Sequence, residues 1–320
     1  MPNPSIPGRA PVPPRGAVLC ECFARDGLQH EAAPPGTEAK IAAIDAFSAC
    51  GFPRIEATSY SHPGQLPVFA DASAVLAAIR RAPGAAYKAT CPNPRAVSRA
   101  LADADAGHGA NELSLLVSAT EAHTERNLRT TRDRQWDAVA AMAAMAAGRF
   151  RLVGVVSVAL GCPFEGAVDP GIVVADAQRF AALGATLLTV GDTTGLATPA
   201  AVRRLFRRLL DEAPGIVPVA HFHDSRGTGL ANCMAALEAG CTHFDSAFGG
   251  VGGHPAQIEY GGGYTGNVAT EDLVNLLEAE GVPTGLDRDA VLAASRLAEQ
   301  LLGRPLDSMV ARTGWGLLPA

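Results

Sequence analysis

Short hydrophobic runs alternate with longer, alanine-rich segments of helical periodicity from residue 17 onward. Each short run has the length of a buried strand, and each is followed by a segment with the spacing of a helix. Eight such pairs can be counted, and their predicted strands begin at Ala17, Pro53, Ala85, Ala110, Arg151, Thr186, Ile216 and Cys241. Repeated strand–helix units predict an α/β protein, specifically a (β/α)8 barrel of the TIM type.

The pattern predicts one domain for most of the chain. Residues 1–16 are rich in proline and are expected to form a flexible tail, whereas residues 17–320 are expected to form a single barrel domain. A helical extension is predicted after about Asp287. The alternative architecture is an open, doubly wound sheet, but the first predicted strand is not followed by a GxGxxG sequence.

Composition narrows the class of partner. A net charge of −6 gives no electrostatic reason to expect binding to nucleic acid or to an anionic membrane, and no hydrophobic run has the length of a membrane span. A small-molecule substrate fits this composition better. The seven cysteines are scattered and lack CxxC spacing, which favours reduced thiols and a cytoplasmic location.

Polar residues recur where the predicted strands end, at positions out of keeping with a buried sheet. Barrel enzymes place their active sites at this rim, because the carboxyl ends of all eight strands meet there. The residues that occupy such positions are Arg25, Asp26, Glu56, Asp192, His221, His223 and Asp245. The sequence therefore predicts an active site at the carboxyl-terminal rim of the barrel.

The strongest chemical signal among them is His221-Phe222-His223. Side chains alternate across a strand, so the two imidazoles project to the same face. A lone HxH pair is usually structural, but here it shares a rim with several polar residues. Two neutral imidazoles can bind one metal ion if oxygen ligands complete the shell, and Asp26 is positioned to supply one.

The run RDGLQHE at residues 25–31 resembles the RDGLQxE motif of the 3-hydroxy-3-methylglutaryl-CoA lyases, a family of metal-dependent barrel lyases. The resemblance continues along the chain in the same order. The other matching segments are residues 55–63, 117–127, 161–170, 191–199, 221–232 and 265–278. Seven ordered matches identify the chain as a member of this family.

The resemblance implies a site made of specific residues. The implied ligands of a divalent ion, Mg2+ or Mn2+, are Asp26, His221, His223 and Asn267. Arg25 lies beside this set, and Glu56 and Asp192 match acidic residues that line the pocket. Asn267 enters through the resemblance alone, because an Asn after Gly266 is more often a turn residue.

The implied reaction is retro-Claisen-type cleavage of a 3-hydroxy-3-methylglutaryl thioester of coenzyme A into a keto acid, acetoacetate, and acetyl-CoA. The metal would polarise the tertiary hydroxyl of the substrate so that a base can remove its proton. Arg25 is suited to stabilise the enolate oxygen that forms. By analogy with the family, the expected assembly is a homodimer.

The chain departs from the family in the loop after the eighth strand. The family has Gly-Gly-Cys-Pro there, and its cysteine is the catalytic acid, whereas this chain has Gly252-Gly253-His254-Pro255. Histidine titrates near neutral pH, so His254 is predicted to donate the same proton. The stretch between His254 and Asn267 is also about four residues longer than the family pattern.

Three alternatives remain open from the sequence. The first is a related lyase or aldolase that acts on another 3-hydroxyacyl-CoA or on a hydroxy-keto acid, and the segments GLQ and TGNVATEDLV argue against the aldolase. The second is an inactive relic, although all four metal ligands are present. The third is a non-catalytic binding protein on a barrel scaffold.

Overall fold

The computed structural model describes residues 16–31, 33–252 and 266–316. Its centre is a closed barrel of eight parallel strands, each paired with the strands before and after it in the chain. The first strand also pairs with the eighth, with Val18 opposite His243, and this pairing closes the barrel. The predicted (β/α)8 barrel is confirmed, and the alternative of an open sheet is wrong.

All eight predicted strands are present. Their bounds are β1 Val18–Glu21, β2 Arg54–Ser59, β3 Ala86–Cys91, β4 Glu112–Ser118, β5 Arg151–Ser157, β6 Ala185–Asp192, β7 Val217–Phe222 and β8 His243–Ser246. The strands are four to eight residues long, which is usual for globular proteins.

Helices follow the strands and cover the barrel. Their bounds are α1 Thr37–Ala49, α2 Ala72–Ala78, α3 Pro94–Asp105, α4 Glu121–Leu128, α5 Arg132–Ala146, α6 Pro170–Ala182, α7 Pro199–Glu212, α8 Gly229–Ala239, α9 Thr270–Ala279, α10 Arg288–Leu302 and α11 Met309–Thr313. The last two confirm the predicted helical extension. Several starts have a side-chain cap; the Thr198 side chain, for example, accepts a hydrogen bond from the backbone N–H of Ala201.

The alternation of side chains sorts each strand into an outer and an inner face. Outward-facing residues such as Leu19, Leu113, Leu188 and Phe244 join the main hydrophobic core between the barrel and the helices. Inside the barrel, a separate small cluster, here called the interior apolar cluster, consists of Val153, Leu187 and Val219.

The remainder of the barrel interior carries buried charges. This interior charge network consists of Arg54, Glu56, Lys88, Glu112 and Asp245, each of them at most 3% exposed. Its members are linked by ion pairs, among them Arg54 with Glu112 at 2.9 Å. The barrel is therefore filled by aliphatic side chains on one side and by ion pairs on the other.

Two further sequence expectations concern cysteines and membranes. All seven cysteines are buried and free of disulfides. Among the residues that the structure describes, none of the helices combines the length and the apolar character that crossing a bilayer requires.

Candidate active site

Three side chains with metal-binding atoms meet at the carboxyl-terminal rim. Asp26 follows β1 at the start of a short 3-10 helix, Gly27–His30, while His221 and His223 stand at the end of β7. One ligand atom from each lies within 4.8 Å of the other two. The two imidazole Nε2 atoms are 3.3 Å apart, and they lie 3.9 and 3.8 Å from Asp26 Oδ2. Two imidazole nitrogens and a carboxylate oxygen are a donor set that suits a divalent metal ion.

Asn267, in the segment after β8, reaches the cluster formed by Asp26, His221 and His223. It forms an isolated antiparallel bridge with His223, which ties the segment after β8 to the end of β7. Its side-chain Nδ2 donates to Asp26 Oδ2 at 2.8 Å and to the Val251 carbonyl at 2.9 Å. The structure thus brings all four sequence-predicted ligands together, with the amide nitrogen of Asn267 directed at Asp26.

The electrostatics of this cluster keep Asp26 charged. Burial alone would raise the pKa of Asp26, but the charges of His221 and Arg25 hold it well below its usual range. Burial would likewise lower the pKa of His221, and the carboxylates of Asp245 and Asp26 raise it instead. The ionised carboxylate of Asp26 is the form of that group that binds a cation.

Arg25 lies between the candidate metal ligands and Glu56. Its Nη1 donates to Asp26 Oδ1 at 2.9 Å, and its Nε is 3.6 Å from Glu56 Oε1. That Nε has no hydrogen-bond partner among the described residues. A residue of β3 positions Glu56, because Thr90 Oγ1 donates a hydrogen bond to Glu56 Oε1 at 2.7 Å. A guanidinium donor is therefore available next to the place where a metal-bound substrate would lie.

Lys88 is a part of the site that the sequence analysis missed. Its Nζ is 3.5 Å from Glu56 Oε2 and 3.6 Å from Asp245 Oδ2, and the side chain is 2% exposed. Asp245 Oδ2 is in turn 3.3 Å from Nδ1 of His221. The signal that could have found Lys88 is a lysine in the middle of a strand predicted to be buried, since such lysines are almost always paired.

Asp192 differs from its expected placement. Its carboxylate accepts hydrogen bonds from the backbone N–H groups of Leu196 and Ala197, at 2.8 and 3.1 Å. It is fully buried and does not line the cavity described below. Burial raises the pKa of Asp192 to about 6. In this structure the loop after β6 folds back over the strand end and binds the carboxylate away from the cavity, and the predicted role of Asp192 stays a prediction.

A second group of metal-binding atoms lies deeper in the barrel. The Sγ atoms of Cys20 and Cys22 are 3.9 Å apart, and a carboxylate oxygen of Asp245 lies within 4.8 Å of them. Both thiols are fully buried, and two cations, Lys88 and Arg54, already face Asp245 at 3.6 and 3.8 Å. A metal ion would face like charges there, so the Asp26 cluster is the better cation site.

A cavity adjoins the three candidate ligands. Besides those ligands and Arg25, the cavity is lined by several hydroxyl-bearing side chains, Thr90, Ser114, Ser157, Thr189 and Thr193.

A neighbouring groove continues the cavity toward α4 and α5. Asn127 and Leu116 line both spaces, and three arginines, Arg126, Arg129 and Arg134, line the groove. The Arg126 guanidinium lies 4.2 Å from the centre of the Phe164 ring, which holds it in place. The two spaces together suit an elongated ligand with an anionic end.

The predicted acid His254 lies outside the described residues, as does the longer stretch that precedes Asn267. The described chain stops at Gly252 and resumes at Gly266.

Comparison with known proteins identifies relatives along almost the whole chain. The sequence profile of the HMGL-like family matches residues 17–298. The chain is 37% identical to the mitochondrial hydroxymethylglutaryl-CoA lyase of Rattus norvegicus, over 93% of this chain and 90% of the relative. It is 36% identical to the 3-hydroxy-3-isohexenylglutaryl-CoA/hydroxymethylglutaryl-CoA lyase of Pseudomonas aeruginosa, over 93% and 97% of the two chains.

Solved structures agree with the sequence relatives. An HMG-CoA lyase from Acinetobacter baumannii, in complex with coenzyme A and 3-methylmalate, superposes with a TM-score of 0.87 at 36% identity, over 95% of this chain and 97% of the other. A putative aldolase domain from Bacteroides vulgatus has a TM-score of 0.68 at only 16% identity, over 94% and 89% of the two chains, and that likeness extends to the fold alone. Motifs, barrel and relatives agree, and the chain belongs to the HMGL-like family.

Proposed function

We propose that this protein is a metal-dependent carbon–carbon lyase that cleaves a 3-hydroxy-3-methylglutaryl-CoA-like thioester into a keto acid and acetyl-CoA. The observation that carries the proposal is the convergence of Asp26, His221 and His223 at the barrel rim, in a chain that belongs to the HMGL-like family. Membership of this family supports a lyase over the non-catalytic binding protein. The relatives named above are lyases, whereas the aldolase neighbour shares only the fold.

The proposed metal is Mg2+ or Mn2+, held by Asp26, His221, His223 and Asn267. When bound, it would polarise the tertiary hydroxyl of the substrate and lower the pKa of that group. Glu56 and Asp192 are the acidic residues predicted to take part. Glu56 lines the cavity and Asp192 does not, so Glu56 is the better candidate for contact with the substrate.

Arg25 is proposed to stabilise the enolate. When the bond between carbons 2 and 3 of the acyl group breaks, its electron pair moves to carbon 2 and is delocalised onto the thioester oxygen. The guanidinium of Arg25 stays charged at any working pH, and its Nε donor is unused among the described residues. His254 is proposed to supply the proton that carbon 2 then takes up.

The groove with Arg126, Arg129 and Arg134 is proposed to hold the coenzyme A part of the thioester. Coenzyme A carries several phosphate charges at one end, and guanidinium groups bind phosphate well. The complex of the Acinetobacter baumannii lyase with coenzyme A supports an acyl-CoA substrate. Assembly as a homodimer and a cytoplasmic location stay predictions.

The proposal is tested by metal removal and by His223→Ala. The native protein with Mn2+ should release acetyl-CoA from 3-hydroxy-3-methylglutaryl-CoA, and EDTA should abolish the release. Loss of one metal ligand should lower kcat/KM at least about a thousandfold, because the metal's charge stabilisation is lost. Calorimetric titration with Mn2+ should show the matching loss of metal binding.

His108→Ala is the control, because His108 lies just before β4, at the opposite rim of the barrel. It should leave both metal binding and cleavage unchanged. Native protein that binds no divalent ion, or that leaves every 3-hydroxyacyl-CoA thioester intact, would contradict the proposal.

A further inference from the structure

The wall of the cavity that lies deepest in the barrel is polar. Lys88 and Thr90 of β3, Ser114 of β4 and Thr189 of β6 all line the cavity from inward-facing positions. Barrel interiors are usually filled at such positions by branched aliphatic residues. The polar side chains here therefore form a distinct surface, which we call the polar pocket wall.

One member of this wall lacks the hydrogen bond that burial normally demands, and a second is held only by long ion pairs. Ser114 is 1% exposed, and its Oγ has no hydrogen-bond partner among the described residues. Lys88 Nζ has three donors, and its nearest carboxylate oxygens lie at 3.5 and 3.6 Å, at or beyond the limit of a hydrogen bond. Buried hydroxyl and ammonium groups are rarely left so loosely paired, which indicates that a ligand supplies partners.

The charge of the wall favours a neutral ligand group. Glu56 and Asp245 flank Lys88 and offset its positive charge. An added carboxylate would lie close to Glu56 and Asp245 and be repelled by them. A hydroxyl group can instead accept a hydrogen bond from Lys88 Nζ and exchange one with Ser114 Oγ.

A methyl group cannot meet these demands. It has no hydrogen-bonding atom and would leave Ser114 Oγ without a partner. Sites built around buried hydrogen-bonding groups discriminate strongly against ligands that lack the complementary group. The acyl substituent that reaches the wall should therefore be polar.

We propose that the polar pocket wall selects a 3-hydroxyglutaryl-CoA thioester whose substituent at carbon 3 ends in a hydroxyl group instead of a methyl group, bound by Ser114 and Lys88. This inference rests on the proposed lyase function. The reaction is otherwise the same: the bond between carbons 2 and 3 breaks, the carbon 3 hydroxyl loses its proton, and carbon 2 gains one. The hydroxyl-bearing substituent stays on the ketone product, so no oxidant or reductant is needed.

The test compares three thioesters that differ only at carbon 3, where they carry a methyl, a hydroxymethyl or a carboxyl group. With saturating Mn2+, the native protein should show a kcat/KM at least about tenfold higher for the hydroxymethyl substrate than for the methyl substrate. Ser114→Ala should reduce the ratio of the hydroxymethyl kcat/KM to the methyl kcat/KM by about tenfold. The reason is that it removes one of the two side chains proposed to bind the hydroxyl group. It should leave Mn2+ binding intact.

The matched control is Ser48→Ala. Ser48 is a buried serine that contacts Tyr87 Oη and the Ile44 carbonyl, and it does not line the cavity. This variant should keep the native ratio. Ser114→Ala carries the test because Lys88→Met would remove a buried cation that lies between two carboxylates and would endanger folding.

The outcomes separate this inference from the lyase proposal. Cleavage with equal or greater kcat/KM for the methyl substrate, or an unchanged ratio in Ser114→Ala, would overturn the inference and leave the lyase intact. Preference for the carboxyl substrate would also overturn it, because the wall would then bind an anion. Cleavage of none of the three would remove the lyase proposal and the inference with it.

Discussion

Buried carboxylates occur on both faces of the barrel wall, and the pKa values of two of them are shifted in opposite directions. Asp245 points into the barrel, where burial would raise its pKa but Lys88, His221 and Arg54 hold it well below its usual range. Glu21 lies on the outer face of β1, and burial raises its pKa to about 8. Both carboxylates are almost completely buried, so burial does not decide the difference. The neighbouring cations do.

The buried carboxylates on the two faces of the barrel wall have different roles. On the outer face, Glu21 accepts hydrogen bonds from the N–H groups of Phe23 and Phe248 and from Thr270 Oγ1. It thereby fixes the backbone around the rim. On the inner face, the interior charge network contributes little net stability, because ion pairs lose much of their gain to desolvation. Its effect is to hold Asp245 ionised against His221.

The largest effect is expected from Asp245→Asn. Removing this carboxylate from the buried ion network leaves the charges of Lys88 and Arg54 compensated only by Glu56 and Glu112, which should lower the free energy of unfolding by about 3–5 kcal/mol. Partners that orient a metal-bound histidine typically change metal affinity by about 10- to 100-fold, and we expect a loss in that range. Urea unfolding and calorimetric titration with Mn2+ measure the two effects, and an unchanged Mn2+ affinity would show that Asp245 does not orient His221.

Leu187→Ala tests the interior apolar cluster in the same way that Asp245→Asn tests the interior charge network. Deleting buried methyl groups should cost about 2–4 kcal/mol of unfolding free energy. The aliphatic side chain of Leu187 has no polar atom that could hold a candidate metal ligand in place. Mn2+ affinity should therefore stay within about twofold of the native value. A large loss of Mn2+ affinity in this variant would mean that packing, not charge, positions the ligands.

The smallest effect is expected from Glu21→Gln and appears only as a pH dependence. The pKa of Glu21 is raised from its ordinary 4.5 to about 8, so the folded state holds a proton that the unfolded state releases. This contribution to stability is complete below about pH 4.5 and is lost as the pH rises toward about 8. Between about pH 6 and 7.5, the variant should lose roughly 2 kcal/mol less unfolding free energy than the native protein. Urea unfolding at several pH values measures this, and parallel pH curves for the two proteins would refute the raised pKa.

Most of the fold follows from the sequence, because alternation and helical periodicity report directly on burial. All eight strands, from β1 to β8, begin within a few residues of their predicted starts. The convergence of Asp26, His221 and His223 was also predictable, since parallel strands in a barrel end at one rim.

The parts that could not be predicted depend on contacts between distant segments. Asp192 stands at a strand end like the others, but whether it faces the cavity depends on how the following loop packs. The role of Lys88 depends on Glu56 of β2 and Asp245 of β8, whose registers relative to β3 no local pattern reveals. Asn267 carries no local signal other than its resemblance to the family.

The bridge between His223 and Asn267 separates two parts of the chemistry. On either side of it, the N–H of Asp224 donates to the Gly266 carbonyl and the N–H of Val268 to the Phe222 carbonyl. Gly252 packs so closely that an added Cβ would lie 2.3 Å from Asn267 Nδ2. Both anchor points of residues 253–265 are thus fastened to the ligand cluster itself. Because these contacts lie outside residues 253–265, a change in the length of that stretch, or of the proposed proton donor His254, can leave the candidate metal ligands in position.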